Sequence, residues 1–439
     1  MSHRNANRSP VRRRVSHLAL AISLACGATL TAVAIEAPAY AQKKRGKSAE
    51  PQATYSDAFR AAFTPASKLM EATPRDGAAM RALIPSIVAA ASTPDDRLVG
   101  GQFIYNTGVT VKDSALQLQG LGMMLESGKV PAANLGEYNF LAGQLAYQAK
   151  DYARARTFIQ AAVQAGYTEG DPHLLLTETY VQQNDAAGGL NYLGGLIEQQ
   201  IAAGQTPSRE HLRKALATAY TAEMAQPSMR FANLFARYYP AADSWGDAIV
   251  VTRQSANLAD DEVLDLLRLQ RRLKAFRDRT EYLTYIDAAD ARRLPNEVSQ
   301  IIQEGVSSGK ISATDSFVAE ARTLAQGRQA QVRADLASLE RDANASGATA
   351  TTVLAAGNVF MDAGQPAKAE AFFRKAAGMA GGNANLANTR LGIALVEQGK
   401  YADAAAAFNK VQGSRAPIAQ LWATYAAQQQ GGTATAAAG

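Results

Sequence analysis

The stretch LAYQAKDYARARTFIQAAVQAG runs from Leu145 to Gly166. Apolar residues recur along it at helical spacing, stop at Lys150-Asp151-Tyr152, and then resume. It is either one interrupted helix or one hairpin of a repeat. Asp151 follows a helix bearing Gly143 and precedes one bearing Ala155, Ile159 and Ala162. At a distance of 34 residues, Asp185 sits between a segment with Leu176 and Tyr180 and one with Gly189, Leu193 and Leu196. The pattern returns more strongly in VLAAGNVFMDAGQPAKAEAFFRKAAG from Val353 and TRLGIALVEQGKYADAAAAFNKVQG from Thr389. Their turns, Gly364-Gln365 and Gly399-Lys400, are 35 residues apart. A recurring break is a turn, so the sequence predicts helix hairpins.

A helix–turn–helix period of this length resembles the tetratricopeptide repeat. Ala142-Gly143, Ala356-Gly357 and Leu391-Gly392 resemble that family's Leu-Gly step. Tyr180, Phe360 and Leu395 resemble its large residue one turn later, where the first copy has Ala146. Ala155, Gly189, Ala369 and Ala404 match its small residue in the second helix. Ile159, Leu193, Phe373 and Phe408 match the apolar residue a turn on. The closing Pro is absent from all four copies, which carry Tyr167, Ile201, Gly381 and Ala416 instead. Helices approach closely only where one presents Gly or Ala and the other a large side chain. Each hairpin then needs a neighbour to cover its outer apolar face. The resemblance implies an all-α fold, an α-α superhelix or solenoid of antiparallel helix hairpins.

The remaining sequence reads as helices separated by Pro74, Pro94, Pro131, Pro207, Pro240 and Pro295. FIYNTGVTV (Phe103 to Val111) reads as a helix end, a break at Gly108 and a new start. Diverged hairpins are expected around Ala217 to Tyr239 and Asp247 to Phe276. In DDEVLDLLRLQRRLKAF, acids at the start and bases toward the end suit the helix dipole. Val263, Leu266, Leu267, Leu273 and Phe276 are its expected buried stripe, and its charges read as a solvated, dipole-matched face, with a basic binding helix as the alternative. The helical array is expected over 54–340, with tetratricopeptide-like units at about 137–203. A linker at 341–351, a C-terminal pair with capping helix at 352–430 and a flexible tail at 431–439 follow.

The N-terminus reads as an export signal over 1–41. Arg4, Arg8, Arg12, Arg13 and Arg14 precede an apolar, uncharged stretch from Leu18 to Ile35, and Ala39-Tyr40-Ala41 is a small-x-small site that cleaves before Gln42. The alternative is lipidation at Cys26, although SLAC lacks the Leu of a lipobox. Residues 42–53 form a basic disordered leader with Lys43, Lys44, Arg45 and Lys47. The chain of 439 residues carries a net charge of +6. Removing 1–41 takes away five Arg and one Glu and leaves 40 basic and 38 acidic groups. The basic excess therefore belongs to the N-terminus, and no basic face argues for nucleic acid. Cys26, the only cysteine, leaves with the signal, which excludes disulfides and thiolate chemistry.

Motifs for chemistry are weak. His173 follows Asp171 and Pro172, which read as an N-cap and first helical residue, and His211 has no ligand spacing around it. GMMLESGKV (Gly122 to Val130) lacks the spacing and the final Ser or Thr of a phosphate loop; Gly128 reads as a helix C-cap. Asp260-Asp261-Glu262 has no loop of alternating ligands for calcium. Phe231 and Phe235 read as a core stripe. No catalytic residue, metal site or small-molecule cofactor is expected. The resemblance implies a partner groove lined by first helices: Phe140, Gln144, Tyr147, Gln148, Leu174, Glu178 and Gln182, then Leu354, Asn358, Met361, Ile393 and Glu397. The Lys, Arg and Asn clamp with which some members hold a terminal carboxylate is not matched there. The expected function is a periplasmic scaffold or adaptor binding a protein or peptide partner in the cell envelope. The alternatives are a glycan-associated factor or enzyme accessory on a helical scaffold, or a lipidated outer-membrane assembly component.

Overall fold

The computed structural model describes residues 53–437, with side chains to residue 431. The export signal, its cleavage site at Ala41 and Gln42, the Cys26 alternative and the basic leader before Ala53 lie outside the described residues. Among the described residues every regular element is a helix, and none is long and apolar enough to cross a membrane.

The chain separates into two compact units, the first ending at Gly189 and the second beginning at Leu190. The first contains α1 (Asp57–Glu71), α2 (Gly77–Ala90), α3 (Pro94–Thr110), α4 (Ser114–Glu126), α5 (Ala132–Gln148), α6 (Tyr152–Gln164), α7 (Pro172–Gln182) and the first turn of α8 (Ala186–Ala202). The second continues through α9 (Arg209–Thr221), α10 (Ala225–Tyr238), α11 (Ala242–Ser255), α12 (Asp260–Arg272), α13 (Arg279–Ala289) and α14 (Pro295–Ser307). It ends with α15 (Ser316–Asn344), α16 (Ala350–Asp362), α17 (Pro366–Ala377), α18 (Ala384–Glu397), α19 (Tyr401–Phe408) and α20 (Ala416–Ala437).

The break in the opening stretch is a hairpin turn. Lys150 is left-handed at φ 61°, and the Asp151 amide donates back to the Ala146 carbonyl at 2.9 Å. This is the Schellman closure, in which a left-handed residue lets the next amide reach an orphan carbonyl of the ending helix. Asp151 then accepts from the Arg154 amide and caps α6. The same closure recurs at Asn184-Asp185, Gly364-Gln365 and Gly399-Lys400, with bonds of 3.0, 2.9 and 2.9 Å. It also ends α3 at Lys112-Asp113 and α9 at Glu223-Met224. Those two hairpins have diverged in sequence and keep the turn.

Close approach explains the small residues. A Cβ on Gly143 would lie 2.5 Å from Ile159 Cγ1, and one on Gly357 would lie 2.5 Å from Phe373 Cε1. Gly392 meets the Phe408 ring in the same way. The partner positions Ala155, Ala369 and Ala404 are fully buried. The paired residues of the tetratricopeptide-like pattern thus touch: Gly on one helix receives the apolar knob of the other.

Several expectations need correction. Gly108 is not a break; it lies inside α3, where its missing side chain lets the Gln117 backbone of α4 approach, and the turn falls at Val111–Asp113. The linker at 341–351 is shorter, because α15 runs to Asn344 and α16 starts at Ala350. The compact units part at Gly189, not at that linker. The tail is helical to Ala437, continuing α20. Phe231 and Phe235 are buried, Asp171 caps α7 ahead of Pro172, and Gly128 has φ 65° just after α4.

The expected buried stripe of α12 holds at Leu266 and Leu267 but not along its length. Leu264, Leu266, Leu267 and Leu269 are buried, whereas Val263, Leu273 and Phe276 are only partly so. Glu262, Asp265 and Gln270 are buried as well. Helix α12 is enclosed because α11, α13 and α20 all pack against it. Apart from the exposed Asp260, its charges meet partners on other elements, which no local pattern reveals.

Candidate functional site

Helix α20 turns back onto its own unit, packing on α10, α11, α12 and α18. Trp422 is buried and stacks on Phe408, while its indole N–H donates to the Asp265 carbonyl at 2.9 Å. The Gln428 amide donates to the Ala236 carbonyl at 2.9 Å, covering an orphan acceptor near the end of α10.

Beneath this packing lies a cluster of opposite charges. Asp265 has 0% exposure and accepts from Arg268 Nη1 at 2.9 Å and Arg415 Nη1 at 2.6 Å. Arg390 Nε lies 3.6 Å from the same carboxylate, and its Nη1 donates to Asn358 at 2.7 Å. Burial and the neighbouring guanidiniums of Arg268 and Arg415 push the Arg390 pKa down, against the attraction of Asp265 and Asp261. Arg415 is also paired with Asp261, and Ser414 donates to Glu262 at 2.5 Å. A buried cluster of this kind holds only while every member has its partner.

Next to the cluster, α12, α14, α16 and α18 converge on a cleft of about 300 Å³. Arg268, Arg271 and Arg272 enter it from one face of α12, because residues three and four apart share a face. Arg268 is fully engaged: Nε and Nη2 donate to Glu297 at 2.8 and 2.6 Å, and Nη1 to Asp265. Burial alone would lift the Glu297 carboxyl, but Arg268 and the Tyr285 hydroxyl hold it down at about 2. Asp362 accepts from the Glu297 amide at 2.8 Å and from Asn296 Nδ2 at 2.8 Å, so it caps α14 from another helix. Burial raises the Asp362 pKa despite those bonds.

Arg271 and Arg272 stand at the mouth. Arg271 Nε donates to Glu304 at 3.0 Å and its Nη2 to Gln300 at 3.2 Å. Arg272 Nη1 donates to Glu397 at 2.8 Å and its Nε meets the Tyr425 hydroxyl at 3.3 Å. Met361, Pro366 and Ile393 supply an apolar wall.

The residues expected in a groove divide three ways. Met361, Ile393 and Glu397 come together in this cleft. Leu354 and Asn358 do not line it, and Asn358 is bound to Arg390. In the first unit, Phe140 is a core residue rather than a groove residue, since its ring packs 5.2 Å from Tyr167 and fills the space at Gly170. Glu178 is buried too, accepting from Gln182 at 2.6 Å. Gln144, Tyr147 and Leu174 are partly exposed, and Gln148 and Gln182 exposed; Tyr147 stacks at a tilt on Tyr152. The sequence offered a basic binding helix only as the second reading of α12, behind a solvated face, and Arg268, Arg271 and Arg272 were not placed in the expected groove; their spacing on one face was the available signal. Among the described residues no three His, Cys, Asp or Glu side chains stand close enough to hold a metal ion.

No protein-family model matches the chain, and no curated protein matches it. Solved structures with similar helical arrangements include Naa15/Naa10 bound to HypK-THB, at 12% identity over 85% of this chain and 71% of that one, with a TM-score of 0.35. The P58(IPK) TPR domain aligns at 10% identity over 85% of this chain and 99% of that one, with a TM-score of 0.23. The APC/C hetero-tetramer Cut9-Hcn1 aligns at 12% identity over 85% and 83%, with a TM-score of 0.19. At these values the tetratricopeptide-like character of the chain rests on its own hairpins, turns and glycine contacts.

Proposed function

We propose that the protein is a periplasmic scaffold or adaptor that binds a protein or peptide partner in the cell envelope. The observation that carries this reading is the cleft at α12, α14, α16 and α18, where side chains from 268 to 397 meet around partly exposed charges beside an apolar wall. A binding surface needs that combination: apolar area for affinity and oriented charges for register. Exposed Gln148 and Gln182, with the Tyr147–Tyr152 ring pair, the second of which meets Gln182, offer a second, polar contact surface on the first unit. The export signal read at 1–41 supports the location.

Two measurements test the proposal. Osmotic shock of cells making the full chain should release it with Gln42 as its first residue; retention in the cytoplasm with an intact N-terminus would remove the envelope from the reading. A photo-crosslinking residue at Gln148 or Glu397 in intact cells should give discrete protein adducts. Absence of adducts at both positions would refute a scaffold acting through these surfaces.

A further inference from the structure

We propose that Arg271 and Arg272 form an exchangeable site for side-chain carboxylates of a partner polypeptide, with Glu304 and Glu397 as built-in stand-ins for the ligand. The inference deepens the scaffold reading above and rests on it.

The three arginines of α12 are not equivalent. Arg268 is held by carboxylates that are themselves enclosed, Asp265 and Glu297, so it belongs to the framework. Arg271 and Arg272 are held by carboxylates whose side chains are 45% and 36% exposed, Glu304 and Glu397. Both pairs sit at the rim of the cleft, where water reaches the carboxylate of each and screens its attraction; Arg271 is the more firmly held, by two of its nitrogens on Glu304. An incoming carboxylate can replace either glutamate like for like, while the displaced side chain turns into water. The guanidinium geometry already matches a carboxylate, because it now binds one.

The two arginines also stay oriented when the glutamates leave. Gln300 accepts from Arg271, and the Tyr425 hydroxyl lies beside Arg272 Nε, independently of Glu304 and Glu397. Preorganisation lowers the cost of binding.

The lining selects the ligand. Met361, Pro366 and Ile393 favour an acid flanked by an apolar side chain, and about 300 Å³ admits one or two side chains rather than a folded domain. Glu297 and Asp362 stand in the same wall, so a dianionic phosphate meets two carboxyl groups, whereas a single carboxylate needs only the mouth. An acidic-apolar polypeptide segment fits these constraints best.

The test uses the full mature chain and fluorescence anisotropy with a labelled peptide alternating Glu and Leu. The same peptide with Gln for Glu, and inorganic phosphate as a competitor, complete the set. The Glu peptide should bind, the Gln peptide should bind at least about ten-fold more weakly, and phosphate should compete poorly. Arg271→Gln and Arg272→Gln should each weaken binding about ten-fold or more, as expected for a lost charge-assisted hydrogen bond. Glu397→Gln should tighten it, because the stand-in no longer competes. A merely structural Glu397 would give the opposite sign, so weaker or unchanged binding by Glu397→Gln overturns the inference even if the arginine variants fold poorly. Equal binding of the Glu and Gln peptides, or phosphate displacing the Glu peptide at equal concentration, overturns it too. Envelope crosslinks that persist undiminished in Arg271→Gln and Arg272→Gln would overturn this site and leave the scaffold reading standing.

Discussion

Replacing Gly357 with Ala should destabilise the second unit, although the same change elsewhere in a helix stabilises. The Ala Cβ would stand 2.5 Å from Phe373 Cε1 and 2.7 Å from Cδ1, against ordinary carbon contacts of about 3.5–4.0 Å. The ring must retreat by about 1 Å, and Phe373 is buried, so its neighbours must give as well. Overpacking of this kind costs about 1–3 kcal/mol. Against it stands a gain of about 0.5–1 kcal/mol from removing Gly from a helix interior. The net loss spans about 0–2.5 kcal/mol, and because a buried ring with buried neighbours puts the clash in the upper half of its range, about 1–2 kcal/mol is expected. Gly327 in α15 supplies the control, because a Cβ there meets nothing within 4 Å, so Gly327→Ala should stabilise by about 0.5–1 kcal/mol. The chain has two tryptophans, Trp245 and Trp422, both in the second unit, so their fluorescence during urea unfolding reports that unit. At a slope of about 2 kcal/mol/M the two variants should move the midpoint in opposite directions, Gly357→Ala downward by about 0.5–1 M. Phe373→Leu should cost less in the Gly357→Ala background than alone, by at least about 0.5 kcal/mol. If Gly357→Ala raises the midpoint as Gly327→Ala does, helix contact does not explain the glycine.

Lys150→Gly should stabilise the α5–α6 hairpin by about 0.5–1 kcal/mol, because a left-handed residue with a Cβ is strained; slower hydrogen exchange at the ends of α5 and α6 is the readout, and unchanged exchange would show no strain there. Asp265→Ala strips the shared partner from Arg268, Arg390 and Arg415 and should cost about 3–5 kcal/mol by the same fluorescence assay; a loss below about 1 kcal/mol would mean that water reaches the cluster. Burial pushes the Glu370 carboxyl up, but hydrogen bonds from Lys400, Arg374 and Gln398 carry it from the usual 4.5 down to about 2. A depressed pKa stabilises the fold fully above the unfolded-state value and loses that contribution as pH falls through the folded one. Stability should therefore decline between about pH 4.5 and 2, and Glu370→Gln should flatten that decline; an identical acid profile for both proteins would show that this carboxylate plays no part.

The hairpins were legible in the sequence because their determinants are local. Gly143, Gly357 and Gly392 answer to residues 16 positions along the same chain, and the turns at Lys150 and Gly399 need only a left-handed residue and a reachable carbonyl. Period and residue size are enough to read such features, which is why the opening break could be recognised as a turn. The α3–α4 turn was misplaced because Gly serves close packing as well as chain reversal, and sequence does not distinguish the two uses. The cleft was not legible. Arg272 meets Glu397 at a separation of 125 residues, and Arg415 meets Asp265 at 150. A helix pattern says that a residue is charged, but only tertiary packing decides whether its face meets water or another helix. The dipole-matched ends of α12 were a correct local reading, yet Asp261 and Glu262 meet Arg415 and Ser414, and Arg271 meets Glu304, which only tertiary packing decides. By itself the sequence determined the unit that repeats; the tertiary structure decided which charges that repetition brought together.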